Sequence, residues 1–353
     1  MGWRRRPDER CTIGILPCLV SSCDSVSSTL SPVTPHPTLA DVRAAADRIA
    51  DLALVTPVRR SEWLSEAARV PVWLKLECEQ QTGSFKVRGA ANTMLQLTPP
   101  ELTAGVVAVS SGNHGRAVAF VARSLGVAAT VCISTRVPDV KVDAIQNLGA
   151  TVVVAGPDQD DADAAARRLV DEQGLTFVHP FDDPRVIAGQ GTIGLEIIEQ
   201  VPDLSEVLIP LSGGGLAGGI ALAAKGVDPT LRAVGISQER GPAMVRTMEA
   251  GHLVDVVEED TLADALAGSL GPENHHSVHL CSTLLDTTHL VNEEEMAVAM
   301  AYFYREENLT VEGGGSVGVA ALLSGKLVPE GPAVVVVSGG NVDQATIDQV
   351  LER

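Results

Sequence analysis

Short apolar runs rich in β-branched residues alternate along this chain with longer stretches whose apolar positions recur at helical spacing. The runs at 70–76, 106–110, 129–134, 151–155, 176–179, 206–211, 233–237 and 333–337 read as buried strands. Between them, the stretch from residue 86 onward, 115–125, 139–148, 161–173 and 216–225 read as helices. Ahead of the first strand, Thr38-Leu39-Ala40-Asp41 is a helix cap, and Val42, Ala45, Ile49 and Leu52 give 41–54 a single apolar stripe. Strands apolar on both faces that alternate with helices imply βαβ units and parallel sheets covered on both sides, an α/β fold.

Residues 1–36 break this pattern. They are rich in Ser, Thr, Pro and Cys without periodicity and read as a disordered N-terminal extension. Arg4-Arg5-Arg6, the apolar stretch at 12–20 and Val20-Ser21-Ser22-Cys23 imitate an export signal, but Asp8, Glu9 and Pro17 interrupt it. Thr98-Pro99-Pro100 and the turn at 180–184 are candidate crossings between two lobes. They divide the remainder into 37–104, the first part of a large lobe, 105–182, a small lobe, and 183–353, the second part of the large lobe.

Composition narrows the partners. With 353 residues and 45% hydrophobic content the chain can bury a large core. Its 26 Lys and Arg against 45 Asp and Glu give a net charge of -19, which argues against nucleic acid and anionic membrane surfaces. No segment approaches the length of a membrane span, and a cytoplasmic location is expected. The 6 cysteines form no C-x-x-C pair and have no histidine at metal-ligand spacing, so neither a disulfide framework nor a metal is expected.

An anionic ligand must then find a local site, and the turns after the strands offer several. Gly83-Ser84-Phe85-Lys86 places a lysine at a helix start, after the strand at 70–76 and a polar turn at 79–82. Unpaired N–H groups and the positive dipole end disfavour an ammonium there. A less basic amine is a better nucleophile and forms Schiff bases with carbonyl groups. A single lysine is more often merely solvated, so the other turns must decide. Ser212-Gly213-Gly214-Gly215-Leu216 joins the strand at 206–211 to a helix and presents backbone N–H groups suited to a phosphate. Ser110-Ser111-Gly112-Asn113-His114-Gly115 follows the strand at 106–110. Its hydroxyls and backbone suit a carboxylate, Asn113 can donate to a phenolic oxygen and Ser111 can exchange a proton, although Ser and Asn here also serve as plain helix caps. In Ser338-Gly339-Gly340-Asn341, after 333–337, a serine can hydrogen-bond a ring nitrogen. One rival uses the same glycines. Gly213, Gly215 and Gly218 satisfy G-x-G-x-x-G with Glu239 beyond the next strand, the fingerprint of a nicotinamide-dependent oxidoreductase. That reading leaves Lys86 without a role.

Gly83-Ser84-Phe85-Lys86-Val87-Arg88-Gly89-Ala90, 110–115, Gly189-Gln190-Gly191-Thr192, 212–219 and 338–343, in this order and spacing, resemble the threonine dehydratase and serine racemase group of fold-type II pyridoxal-phosphate enzymes. The likeness runs from about residue 38 to the end. It implies two lobes, each with a mostly parallel twisted sheet covered by helices, and pyridoxal 5'-phosphate as cofactor. By this resemblance Lys86 holds the cofactor as a Schiff base, Phe85 packs beside its ring and Asn113 bonds its 3-hydroxyl. Gly213, Gly214, Gly215 and Leu216 hold its phosphate, and Ser338 meets its pyridine nitrogen. The substrate carboxylate falls to Ser110, Ser111, Gly112, Asn113 and His114. The implied reaction is loss of water from a β-hydroxy amino acid such as L-threonine or L-serine, giving a 2-oxo acid and ammonia, with Lys86 as base. Racemisation, with Ser111 as second acid, is a side activity. A shorter likeness at 236–242 and 263–268 points to the dehydratase-like proteins of hydroxyectoine utilisation as an alternative. Where serine racemases carry a metal-binding glutamate and an aspartate, this chain has Gln238 and Met244. A homodimer is expected, as is common in the group, and feedback control by an isoleucine-type effector is not expected.

Overall fold

Edge strands need less apolar surface than central ones, and this decides which strands were visible in the sequence. The computed structural model describes Gly2, residues 35–271 and residues 274–353, so the extension expected over 1–36 lies almost wholly outside the described residues. Ten strands are present among them: β1 (Val58–Arg60), β2 (Val72–Leu76), β3 (Val106–Val109), β4 (Ala129–Ile133), β5 (Thr151–Val154), β6 (Thr176–Phe177), β7 (Glu206–Pro210), β8 (Arg232–Gln238), β9 (Thr287–Val291) and β10 (Ala333–Val337). The larger sheet runs β1-β2-β10-β7-β8-β9 and the smaller β5-β4-β3-β6. All pairings are parallel except that of β1 with β2. The eight runs read as strands are β2 to β8 and β10, with ends shifted by a residue or two. The two edge strands of the larger sheet, β1 and β9, carry too many polar residues to stand out: Val58-Arg59-Arg60 is partly exposed throughout.

Central strands are buried on both faces. Every residue of β3, β7 and β10 is buried. The core is aliphatic, as the low aromatic content requires, and each fully buried Val or Leu contributes roughly 1.5–3 kcal/mol. Thr38 caps the first helix, Leu39–Ile49, through a full capping box with Asp41. That helix ends at Ile49 rather than 54, because the N–H groups of Leu52 and Ala53 both turn back to the Ile49 carbonyl. Thr98-Pro99-Pro100, read as a crossing, opens the capped helix Pro99–Ala104, with proline where its missing N–H costs nothing. Asp183 likewise caps the helix Pro184–Gln200. The helix Gly313–Leu323 is buried over most of its length and so carries no polar stripe by which to read it.

The motif Gly189-Gln190-Gly191-Thr192 serves packing. A Cβ on Gly189 would lie 2.6 Å from the Arg88 carbonyl, and one on Gly191 2.9 Å from the Gly219 carbonyl. The helices Lys86–Met94, Pro184–Gln200 and Gly215–Val227 therefore touch backbone to backbone, which holds Lys86 and the glycine loop in a fixed relation. Among the described residues no helix is long and apolar enough to cross a membrane.

Candidate active site

Parallel strands direct their following turns to one end of the sheet, and ligands gather at those carboxyl ends. β2, β10 and β7 are adjacent, so the turns that follow them, bearing Lys86, Ser338 and the 212–216 loop, stand side by side. A bridge between Ser84 and Gly339 joins the first two turns. The Phe85 N–H donates to the Ser338 carbonyl at 3.0 Å and the Gly340 N–H to the Gly83 carbonyl at 2.9 Å. The turn after β3 of the smaller sheet closes the other side. A cavity of about 410 Å³ lies between. Phe85 and Lys86 line it, as do Ser110, Ser111, Gly112, Asn113 and His114, the loop residues Gly213, Gly214, Gly215 and Leu216, and Ser338. Every site residue expected from the sequence thus faces one space.

The Lys86 side chain opens onto this cavity but is otherwise enclosed by protein. Its Nζ donates to the Pro180 carbonyl at 2.7 Å and lies 5.2 Å from the Phe85 ring centre. Burial pushes its amine down to about 8, against the opposing charge of Glu312. The helix start emphasised by the sequence is real, since Lys86 is the first residue of its helix, but desolvation is the chief cause of its low basicity. A lysine in this state is a ready nucleophile toward an aldehyde.

The loop at 212–216 fits a phosphate. Gly214 sits at φ +85° as the N-cap of Gly215–Val227, and no side chain caps that helix, so its first N–H groups are available to an anion. Space there is tight. A Cβ would lie 2.4 Å from the Phe181 ring on Gly213, 2.6 Å from Met244 Cε on Gly214 and 2.6 Å from the Phe181 carbonyl on Gly215. Met244 thus forms the floor of the loop, and Gln238 is buried with its amide donating to the Leu266 carbonyl at 3.2 Å. Glu239, the acid required by the nicotinamide rival, pairs with Lys326 at 2.9 Å instead.

Asn113 and His114 carry side chains already committed to protein partners. Asn113 Nδ2 donates to Glu312 Oε1 at 2.7 Å, and its Oδ1 accepts from Asn341 Nδ2 at 2.6 Å. His114 Nε2 is 2.8 Å from the Val178 carbonyl, to which it must donate, so the neutral ring has no second N–H and only the backbone N–H can donate to a ligand. Burial pushes this imidazole down to about 3 and His179 down to about 4. The unfolded chain binds protons near the ordinary imidazole value of 6.5 that the folded chain refuses until about 3. The His114 contribution to stability is therefore complete above 6.5 and lost as pH falls toward 3. Urea unfolding should show stability falling by a few kcal/mol from pH 7 to pH 4, and His114→Asn should flatten that slope.

Glu312 was missed from the sequence. It is 4% exposed, lines the cavity, and burial pushes its carboxyl up to about 7, with the Asp264 charge adding to the rise. The available signal was its position, a lone acid between Val311 and Gly313-Gly314-Gly315, much like the other glycine turns. Pro180, Arg116, Asn341 and the 264–269 segment also line the cavity, and none of them was expected as a site residue.

A nucleophilic buried lysine facing a phosphate-sized N–H cradle and a buried serine turn defines a Schiff-base enzyme of the doubly wound α/β class. The donor set suits pyridoxal phosphate: an amine for its aldehyde, N–H groups for its phosphate and a hydroxyl for its ring nitrogen. Comparison with known proteins agrees. The profile of the family described as "Pyridoxal-phosphate dependent enzyme" matches residues 49–339. The chain belongs to this family. A putative threonine dehydratase of Sinorhizobium fredii is 48% identical over 89% of this chain and 95% of its own length. An L-threonine ammonia-lyase of Thermotoga maritima is 39% identical over 90% of this chain and 78% of its own. Among solved structures, maize serine racemase superposes with a TM-score of 0.85 at 31% identity, covering 90% of this chain and 98% of that one.

Proposed function

We propose that this chain is a pyridoxal-phosphate-dependent dehydratase, an ammonia-lyase that converts a β-hydroxy amino acid, L-threonine foremost, into a 2-oxo acid and ammonia. The observation that carries it is the buried Lys86 amine, poised near neutrality in one cavity with the glycine loop and the Ser338 turn. The names of the two curated relatives support the substrate.

When bound, pyridoxal phosphate draws electrons from the α carbon of its amino acid and makes the bonds there labile. The residues divide the remaining work. Lys86 Nζ anchors the cofactor and, when released, takes the α-proton, a role suited to an amine whose pKa lies near 8. Gly213, Gly214, Gly215 and Leu216 hold the phosphate through backbone N–H groups. Phe85 packs beside the ring, and Asn113 donates to the ring oxygen. Ser110, Ser111, Gly112, Asn113 and the His114 backbone orient the substrate carboxylate. Ser338, a neutral hydroxyl only 3% exposed, meets the ring nitrogen without fixing a positive charge on it. That favours prompt loss of a β-leaving group over long storage of charge. The β-hydroxyl leaves as water with the proton that Lys86 Nζ took from the α carbon, and water hydrolyses the released enamine to the 2-oxo acid and ammonia. Ser111 in the same cavity gives a minor racemase activity its second acid.

Purified enzyme with cofactor should form 2-oxobutanoate from L-threonine, followed by coupled reduction. A panel containing L-serine, a hydroxyaspartate and hydroxyectoine ranks the alternatives. Consumption of hydroxyectoine with no 2-oxo acid from either hydroxy amino acid would overturn the threonine assignment. A homodimer working in the cytoplasm belongs to the same proposal, and sedimentation of the holoenzyme checks the dimer.

A further inference from the structure

Four polar side chains link the turns on the two sides of the cavity in a single line. Arg116 Nη1 donates to Asn341 Oδ1 at 3.1 Å. Asn341 Nδ2 donates to Asn113 Oδ1 at 2.6 Å and to the Thr82 carbonyl at 2.8 Å. Asn113 Nδ2 then donates to Glu312 Oε1 at 2.7 Å. Arg116 and Asn113 lie on the helix Asn113–Leu125 that follows β3 of the smaller sheet. Asn341 follows β10 of the larger sheet, and Glu312 opens the helix Gly313–Leu323 that packs on it.

Chemistry gives this line a direction. A guanidinium has only donors and the Thr82 carbonyl only accepts, so Asn341 can satisfy both in one orientation alone, with its N–H toward Asn113 and hence the Asn113 N–H groups toward Glu312 and the cavity. These contacts decide, whichever way the amide oxygen and nitrogen are assigned. We propose that Arg116, Asn341 and Glu312 are positioning residues that fix the Asn113 amide so that its one uncommitted hydrogen, an N–H, is what it offers to the cavity. Its carbonyl accepts from Asn341 and its other N–H donates to Glu312. The remaining N–H then receives an acceptor, such as an anionic phenolic oxygen, and repels a donor in the same place.

The backbone is shaped to leave room for the relay. Gly83 has φ +74°, and a Cβ there would lie 2.5 Å from Asn341 Oδ1. A Cβ on Gly339 would lie 2.4 Å from Glu312 Oε1. Glycine at these two turns thus keeps the space that the relay occupies.

The inference rests on the proposed contact between Asn113 and the cofactor, and a double-mutant cycle separates the two. Cofactor affinity is read by titrating the apoenzyme with pyridoxal phosphate and following the absorption band of the bound form, whose position is a second readout. Arg116 is only partly buried, so Arg116→Met should fold. It should weaken cofactor binding by about threefold to tenfold and shift the band. Glu312→Gln, which keeps a neutral acceptor, should lose less than Glu312→Met. In an Asn113→Ala background Arg116→Met should have no further effect. An equal loss in both backgrounds would overturn the relay while leaving the Asn113 contact intact. Unchanged affinity and band in Asn113→Ala alone would overturn the contact itself.

Discussion

Lys86→Ala abolishes the near-visible absorbance of the lysine-linked cofactor and lowers kcat for threonine by on the order of a thousandfold or more. The magnitude follows from the number of tasks that meet at one atom. Lys86 Nζ is the only amine among the residues lining the cavity other than Lys141, and Lys141 is engaged with Asp264 at 2.8 Å. Removing it takes away both the covalent anchor and the proposed base. Borohydride reduction of the wild-type holoenzyme followed by peptide mass spectrometry should place the fixed cofactor on Lys86, and the variant should show no fixed cofactor. Retained absorbance in Lys86→Ala would exclude this lysine as the anchor. The expected phenotype is local, because the aliphatic core around its helix is untouched and Val87, Ala90, Ala91 and Met94 remain buried.

Arg88→Ala should act differently, by lowering stability about 3–5 kcal/mol. Arg88 is two residues beyond Lys86 and 1% exposed. Its guanidinium meets both oxygens of Glu77 at 2.8 Å, and it also binds Glu196, Thr192 and the Leu54 carbonyl. Glu196 in turn holds the fully buried Lys75 of β2. Removing Arg88 leaves the Glu77 carboxylate buried without its cationic partner, and that uncompensated charge, more than any lost attraction, sets the cost. Urea denaturation at pH 7 measures it. Adding Glu77→Gln to Arg88→Met should recover part of the loss, since the stranded charge is then gone. A loss below about 1 kcal/mol would show that the network is not what clamps the Lys86 helix to β2 and to Pro184–Gln200.

The contrast between these two neighbours shows how far local sequence carries. Lys86 could be singled out because its signals are local: a strand, a turn and a helix start. The glycines at 213–215 were legible for the same reason, as a loop between an apolar strand and an apolar helix. Arg88 and Glu77 were not, since their pairing depends on helix and strand packing across the core. Glu312 and Asn341 are similar cases, lying 199 and 228 residues from the Asn113 that they contact. The strands β1 and β9 escaped notice because edges need no continuous apolar run. The helix Gly313–Leu323 lacked a polar stripe to give it a face.

By itself, the sequence determined the alternation of buried strands and helices, the N–H-rich turns after the strands and the reactive lysine at a helix start. Each of these depends on neighbours in the chain, through side-chain periodicity, glycine conformation and unpaired backbone donors. Only the tertiary structure decided that β2, β10 and β7 are adjacent and so bring residues 86, 338 and 213–215 around one cavity. It also decided that burial lowers the basicity of Lys86 and that Arg116 and Glu312 set the direction of the Asn113 amide. Desolvation and hydrogen-bond polarity arise from what surrounds a group in space, and strand order, not spacing along the chain, supplies those surroundings.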